Sequence, residues 1–262
     1  VNLGIGMPEG VSAVANPADA FGRYNPDADG FSRGSVSAQL GYAITPSQRI
    51  GLRLLDTRLR SQYDSAESAP PDFLPDPSPD FRNRLKTQLA ALTHSATFGA
   101  GWRSELTLAE SRDELASGAN TINRFDTRRR QLSWQPSVEL AADTTLVGLI
   151  ERNEVRVLSS SFGAEARRSS NTALGASAMG RIDVHRWQVD LRHDDHDVYG
   201  AQTTGKLAYA WQAAPQWTLR AAVGTAFRAP SFNELYFPGF GVESIRPERA
   251  RSVEIGTAWQ GD

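Results

Sequence analysis

The feature that most constrains this chain is the alternation of apolar and polar side chains, which recurs in segment after segment. Around Trp187, for example, the apolar residues Trp187, Val189 and Leu191 alternate with the polar residues Gln188 and Asp190. Successive side chains of a β-strand point to opposite faces, so this pattern predicts strands with one apolar and one polar face. Helical periodicity is hard to find, and the chain is therefore predicted to be all-β.

The predicted strands are long. Many reach ten residues or more, whereas strands of globular proteins are typically ~5–6 residues and a tilted bilayer-spanning strand needs ~9–11. The pattern indicates about eleven strands, at roughly residues 32–44, 48–59, 82–94, 102–115, 125–140, 144–158, 169–183, 186–195, 202–212, 216–227 and 249–260.

The connections between these strands alternate in length. Tight turns at residues 141–143 and 184–186 contrast with long segments at 60–81 and 228–247, and "SGANTINR" reads as a further long loop. An up-and-down outer-membrane barrel has short periplasmic turns and longer external loops. We therefore predict a transmembrane antiparallel up-and-down β-barrel. The odd number of strands and the polar inner face predict that this chain forms only part of a wide barrel.

Composition excludes several other classes of protein. The net charge of -2 argues against a nucleic-acid binder, which usually has a strong basic excess. The sequence contains no run of 18 or more apolar residues, so no transmembrane helix is predicted. The absence of cysteine excludes disulfides and thiolate chemistry. The chain has no recognisable signal peptide and does not begin with Met, as expected of a mature protein or a fragment.

Aromatic residues near the predicted strand ends favour a membrane barrel over a soluble sheet. Tyr42, Trp187, Trp211, Trp217 and Trp259 are placed as in the aromatic girdles that flank the apolar band of a barrel. A soluble β-sandwich or propeller, acting as a β-rich binding protein, also alternates and stays open as an alternative.

Two stretches of the sequence resemble a known family. The segment 189–256, which contains Arg192, Asp194, "GTAFRAPSFNELY" and "IRPERARSVEIG", resembles the mid-barrel signature of TonB-dependent outer-membrane receptors. The stretch "YNPDADGFSRGSVSAQLGYAI", followed by "LDTRLRSQYD", resembles the early barrel of the vitamin B12 (cobalamin) receptor branch. The resemblance implies a barrel of 22 strands closed by an N-terminal plug. Residues 1–262 are then the central portion of that barrel, without the plug domain and the C-terminal strands.

The same resemblance implies a function. Members are active-transport receptors of the Gram-negative outer membrane that take their energy from TonB, so the expected partners are outer-membrane lipid, cobalamin or another large ligand, and TonB through an N-terminal region that this chain lacks. No enzymatic activity, nucleic-acid partner or covalent cofactor is expected. An iron–siderophore receptor of the same fold, or an outer-membrane barrel enzyme, are the alternatives.

The resemblance also implies a calcium site on the external loops. In the cobalamin branch an aspartate-rich loop and a Tyr-Asp pair are associated with calcium, and the matching residues here are Asp27, Asp29, Tyr63 and Asp64, with Asp76 as a candidate later in the second loop. Calcium prefers six to eight oxygen ligands, and a cation would relieve the repulsion between two acidic loops. Ordinary solvated loop aspartates are the alternative.

Aromatic residues in the external loops are candidates for contact with a large ligand. They are Phe31, Phe232, Tyr236, Phe237 and Phe240, and packing between loops is the alternative role. The string "RHDDHD" at residues 192–197 offers metal-binding or acid–base side chains. It falls where a strand enters a loop and where the receptor family has a polar motif, so no catalytic residues are predicted.

Overall fold

The structure is a computed structural model that describes residues 2–6 (backbone only), 16–68, 71–99, 101–141, 143–163 and 165–261. The elements are β1 (Asn2–Gly6), β2 (Phe31–Thr45), β3 (Gln48–Gln62), β4 (Glu67–Ser68), β5 (Pro75–Asp76), β6 (Arg82–Phe98), β7 (Trp102–Gly118), β8 (Ile122–Ala141), β9 (Thr144–Ser159), β10 (Arg167–Ile182), β11 (His185–His196), β12 (Gly200–Ala214), β13 (Trp217–Arg228), α1 (Phe232–Tyr236) and β14 (Glu248–Trp259).

Twelve of these strands form a single antiparallel sheet in chain order, from β1 and β2 through β3, β6 and the following strands to β14, while β4 and β5 pair separately within a loop. Each strand of the sheet pairs with the strand before and after it, which is the up-and-down topology predicted from the sequence. The sheet does not close: β1 and β14 each have one neighbour among the described residues.

All eleven predicted strands are confirmed, and several are longer than predicted. The expectation of a long loop at "SGANTINR" is wrong, because β7 and β8 stay paired as far as Gly118 and Ile122 and leave only residues 119–121 between them. At the end of β7 and the start of β8 both faces of the strands carry polar side chains. The alternation of apolar and polar residues therefore stops there, although the backbone pairing of the two strands continues. β1, β4, β5 and helix α1 were not predicted.

The pairing register sorts the side chains into two faces. On the outward face, Leu52, Leu92, Leu108 and Leu132 lie opposite one another on four consecutive strands of the sheet. On the opposite, inner face the side chains are more polar; for example Gln131, Asn153 and Asn171 form one row. The apolar face predicted from period-two alternation is therefore continuous across the sheet.

Very little of this apolar surface is buried. Among the described residues, the buried hydrophobic side chains are Phe81, Ala96, Val157, Ala173 and Leu235, whereas Leu40, Ile255 and many other large apolar side chains are exposed. A β-sandwich would cover this face with a second sheet, so the sandwich alternative is wrong. An exposed apolar band is what lipid contact requires.

The aromatic girdle lies at the end of the sheet that carries the short turns. Trp217 and Trp259 lie opposite each other in the register of β13 and β14, and Trp211 and Tyr42 are also exposed near this end. Trp187 covers Gly180 so closely that a Cβ on this glycine would lie 2.8 Å from the indole Cζ2.

No helix in the described part of the chain has the length and apolar character needed to cross a membrane.

Candidate ligand-binding rim

Three of the predicted calcium ligands lie together on the rim that carries the long loops. Asp27 and Asp29 precede β2, Asp64 follows β3, and their carboxylate oxygens lie within 4.8 Å of one another. The two segments are held together by Gly30 and Gln62, since the Gln62 N–H donates to the Gly30 carbonyl at 2.9 Å and the Gly30 N–H donates to Gln62 Oε1 at 3.3 Å. The antiparallel pairing of β2 and β3 thus brings the two loops to one point.

The spacing of these three carboxylates fits a calcium ion. Two oxygens bound to one Ca²⁺ at 2.3–2.6 Å lie no more than about 5 Å apart, and the observed limit of 4.8 Å meets that condition. When bound, the ion would neutralise negative charge that the three carboxylates otherwise share. Three side chains supply part of the six to eight oxygens that calcium prefers, so carbonyl oxygens or water must supply the rest.

Tyr63 and Asp76, the other two predicted ligands, have different surroundings. The Tyr63 hydroxyl lies 3.0 Å from Ser117 Oγ, and its ring packs at 5.7 Å against Phe81. Asp76 belongs to β5, where its carboxylate accepts the Ser78 N–H at 2.9 Å. The structure therefore groups Asp27, Asp29 and Asp64, whereas Asp76 is not in this group and the Tyr63 hydroxyl is next to Ser117.

The loop that contains Asp64 is fastened to the neighbouring turn by Glu67. One oxygen of Glu67 accepts the backbone N–H groups of Asn120 and Thr121, both at 3.1 Å. The hydrogen bond from Thr121 is the main reason why the pKa of Glu67 is lowered. The segment that contains Asp64 and Glu67 is therefore anchored to the turn between β7 and β8.

The loop between β13 and β14 begins with a short helix that a capping box defines. The Ser231 hydroxyl accepts the Glu234 N–H, and the Glu234 carboxylate accepts the Ser231 N–H at 2.7 Å. Arg228 at the end of β13 donates to both Glu234 and Glu248, at 2.8 and 2.7 Å. The side-chain hydrogen bond from Arg228 is the largest cause of the lowered pKa of Glu234, about 2.

The aromatic residues of this loop divide into a packed and an exposed set. Tyr236 contacts Phe232 and Phe162 with ring centroids at 6.0 and 6.3 Å, and the Arg167 guanidinium lies 4.5 Å above the Tyr236 ring. Phe237 and Phe240 contact each other at 6.2 Å, yet they are 41% and 84% exposed.

Tyr236 thus packs against the neighbouring loop through Phe162 and Arg167, and Phe232 packs on Tyr236 within the same helix. Phe237 and Phe240 have much or most of their surface exposed. Phe31, at the start of β2, is 45% exposed.

The side chains of the "RHDDHD" string do not converge on one site. Asp194 is buried and forms an ion pair with Arg192 on the inner face. His193 lies on the outward face, where its Nδ1 is hydrogen-bonded to Thr203 Oγ1 at 2.8 Å. The His196 ring stacks on Tyr199 with centroids 4.3 Å apart. The Tyr199 hydroxyl donates to the Pro230 carbonyl at 2.6 Å, and burial raises the pKa of this phenol. These contacts hold loops in place.

Sequence reasoning missed the residues that tie the loops together, namely Gln62, Glu67, Phe162, Arg167 and Arg228. One signal was readable: Ser231 followed three residues later by Glu234 is a capping-box pattern and predicts a helix start. The Glu67 contacts join residues more than fifty positions apart and depend on the folded barrel, so the sequence contained no local sign of them.

Comparison with known proteins agrees with this architecture. The vitamin B12 transporter BtuB of Photobacterium profundum is 26% identical over 252 residues, which are 94% of this chain and 38% of that protein. BtuB of Vibrio cholerae serotype O1 is 25% identical over 183 residues, 67% of this chain and 30% of that protein. The chain thus spans well under half the length of these curated relatives.

Solved structures show the same fold. The siderophore receptor PirA from Pseudomonas aeruginosa superimposes with a TM-score of 0.75 at 18% identity, over 89% of this chain and 44% of that one. A ferric enterobactin receptor (PfeA) mutant from the same organism gives a TM-score of 0.78 at 14% identity, over 96% and 43%. Residues 7–262 match the family described as TonB dependent receptor-like, beta-barrel, and the chain belongs to that family.

Proposed function

We propose that this chain is part of an outer-membrane receptor that binds cobalamin on its loop rim and imports it with energy from TonB, in a Gram-negative bacterium. The observation that carries the proposal is the sequence similarity to vitamin B12 transporters, which extends over 94% of the chain. The group of Asp27, Asp29 and Asp64 supports it, because these residues are the ones that resemble the cobalamin branch.

Calcium has a definite role in this proposal. The three carboxylates come from two separate loops, and a bound ion would fix the loops relative to each other before the ligand arrives. Ordering the loops in advance reduces the entropy cost of capturing a large ligand. Exposed Phe237 and Phe240 then provide apolar contact area on another loop of the same rim.

The test is a titration of the full-length gene product with cyanocobalamin, with calcium and with excess EGTA. We expect EGTA to weaken binding by about tenfold or more, equivalent to roughly 1.4 kcal/mol. The variant Asp27→Asn plus Asp29→Asn should bind weakly at any calcium concentration. The control Asp72→Asn plus Glu165→Gln removes the same charge from other parts of the rim and should retain both affinity and calcium dependence.

The outcomes separate the cargo from the metal. Tight cyanocobalamin binding that ignores EGTA would reject the calcium site and keep the cobalamin proposal. No binding of cyanocobalamin would reject the cobalamin proposal.

An iron–siderophore is the second candidate cargo, and the observation that favours it is the set of structural neighbours. PirA is a siderophore receptor and PfeA a ferric enterobactin receptor, and they superimpose with TM-scores of 0.75 and 0.78. At sequence identities of 18% and 14%, this similarity indicates a shared fold and does not indicate a shared ligand. Titration of the same protein with ferric enterobactin distinguishes the two: saturable binding of the ferric siderophore without binding of cyanocobalamin would replace the first candidate by the second.

A further inference from the structure

An unexpected row of arginines crosses the outward face of the sheet. Arg112 of β7 lies opposite Arg128 of β8, Arg128 lies opposite Arg156 of β9, and Arg156 lies opposite Arg168 of β10. Like charges directly opposite on neighbouring strands destabilise a sheet. Four cationic side chains in one row repel one another unless negatively charged groups lie beside them.

The protein supplies only part of that charge. Glu110 is surrounded by Arg112, Arg128 and Arg130, with distances of 2.6, 2.5 and 3.0 Å. Neither Arg156 nor Arg168 has an ion-pair partner within the described ranges of the chain. The Nε of Arg128 is buried and, among the described residues, has no hydrogen-bond acceptor. One carboxylate thus serves three guanidinium groups, and donors remain unsatisfied.

Three arginines of the row, Arg128, Arg156 and Arg168, line a cavity with a volume of ≈410 Å³. Five arginines surround it, against two carboxylates, Glu154 and Asp197; the arginines are Arg128, Arg130, Arg152, Arg156 and Arg168. Asp197 already accepts the Ser170 N–H and hydroxyl at 2.8 and 2.9 Å. Since Arg side chains present a fixed fork of donors that matches phosphate oxygens, such a cavity fits a phosphate group.

The position of the row on the barrel identifies the source of the phosphate. Arg130 is the next outward-facing residue after Leu132 in the direction of the loops, and Arg152 is the next after Ile150. Each outward position of a tilted strand adds about 5 Å along the barrel axis. The arginines thus stand about 5–15 Å beyond the apolar band on the loop side, where headgroups adjoin the hydrocarbon.

We propose that the outward face formed by Arg112, Arg128, Arg130, Arg152, Arg156 and Arg168 binds the phosphate of a lipid headgroup in the outer leaflet, of the class of phosphorylated glycolipids. The acyl chains of this lipid lie against Leu132, Ile150 and their apolar neighbours, and the phosphate supplies the negative charge that the arginine row lacks. The inference rests on the proposed outer-membrane location and does not depend on the cargo.

The experiment is native mass spectrometry of the full-length protein in detergent, titrated with diphosphoryl lipid A and with the same lipid after removal of its phosphates. We expect a one-to-one adduct that requires the phosphates. The variant Arg128→Gln plus Arg156→Gln plus Arg168→Gln should weaken it by about tenfold or more, since charge-assisted hydrogen bonds are lost.

The matched control removes three arginines from the inner face. Arg129 is the neighbour of Arg128 on the same strand but faces inward, as do Arg33 and Arg53, so Arg33→Gln plus Arg53→Gln plus Arg129→Gln should change lipid affinity by less than about twofold. Equal losses in both triple variants would mean that net charge alone attracts the lipid and would overturn the proposal.

Two further comparisons use proteins whose folding is not in question. Wild-type protein that binds phosphorylated and dephosphorylated lipid equally would overturn the proposal, and so would displacement of the lipid by inorganic phosphate at the same concentration. The variant Arg128→Lys plus Arg156→Lys plus Arg168→Lys keeps the charge and loses the bidentate geometry. Its lipid affinity should therefore lie between that of the wild type and that of the triple Gln variant. Cyanocobalamin titration of the same variants reports separately on the cargo.

Discussion

Glu234 fixes helix α1 to the end of β13, because it binds Arg228 of that strand and the capping residue Ser231. Its pKa in the folded protein is lowered to about 2, chiefly by the Arg228 side chain. A lowered pKa means that the ionised carboxylate stabilises the loop fully above the ordinary glutamate pKa of ~4.3, and that this stabilisation disappears as the pH falls towards 2.

We therefore predict that pepsin cleaves residues 229–247 increasingly fast between pH 5 and pH 2, after correction for its activity on an unfolded substrate. Glu234→Gln should be cleaved fast throughout that range. The control Glu243→Gln lies in the same loop and has no ion pair in the described part of the chain. It should behave as wild type, and an identical pH profile for Glu234→Gln and wild type would contradict the prediction.

Phe240 is the most exposed aromatic side chain of the same loop, at 84%. Its truncation removes almost no contact within the protein, so Phe240→Ala should change thermal stability by less than about 0.5 kcal/mol. If it contacts the ligand, affinity for cyanocobalamin should fall by roughly tenfold. Phe232→Ala serves as the comparison, because its ring packs on Tyr236 and its loss should loosen the loop. Unchanged affinity in Phe240→Ala would remove it from the ligand surface.

At the scale of elements, the turn between β7 and β8 depends on one glycine. Gly118 has φ +134, and a Cβ there would lie 2.0 Å from the Thr121 carbonyl oxygen. Gly118→Ala must therefore rearrange residues 119–121 at a cost of about 1–3 kcal/mol. Because Glu67 binds the Asn120 and Thr121 N–H groups, the rearrangement should also detach the loop that contains Asp64.

The measurement is urea unfolding in detergent together with cyanocobalamin affinity, and both should decrease in Gly118→Ala. Gly34→Ala is the matched control, since its Cβ would meet nothing within 4 Å. A Gly118→Ala protein with normal stability would show that the turn adapts.

How much of these elements could be read from the sequence depends on where each lies relative to the membrane. Strands in the apolar band alternate strictly, as at Trp187, Val189 and Leu191, because one face meets lipid and the other water. Beyond the band the outward face no longer meets hydrocarbon, so both faces are polar and the sequence of the continuing β7 and β8 shows no alternation. The aspartate group was predicted through a resemblance, whereas the arginine row depends on the register of four strands and appears only when they are paired.

At the scale of the whole molecule, the two ends of the sheet decide how the chain can exist in a bilayer. Among the described residues, β1 and β14 pair on one side only. Unpaired backbone groups in hydrocarbon each cost several kcal/mol, which is why membrane sheets close into barrels. On the outward face of β14, Val253 and Ile255 are 74% and 87% exposed beside this open edge. The sheet therefore needs further strands between β14 and β1.

This requirement predicts that residues 1–262, refolded alone into detergent micelles, will not form a heat-modifiable monomer, whereas the full-length gene product will. Electrophoresis with and without boiling, combined with light scattering of the micelles, provides the measurement. A monodisperse monomer of the isolated chain that resists protease would contradict it, since an open edge would then be tolerated. A stable dimer would agree with the physical argument, because a second copy can supply the missing strands to both edges, and cross-linking from β14 of one copy to β1 of the other would identify it.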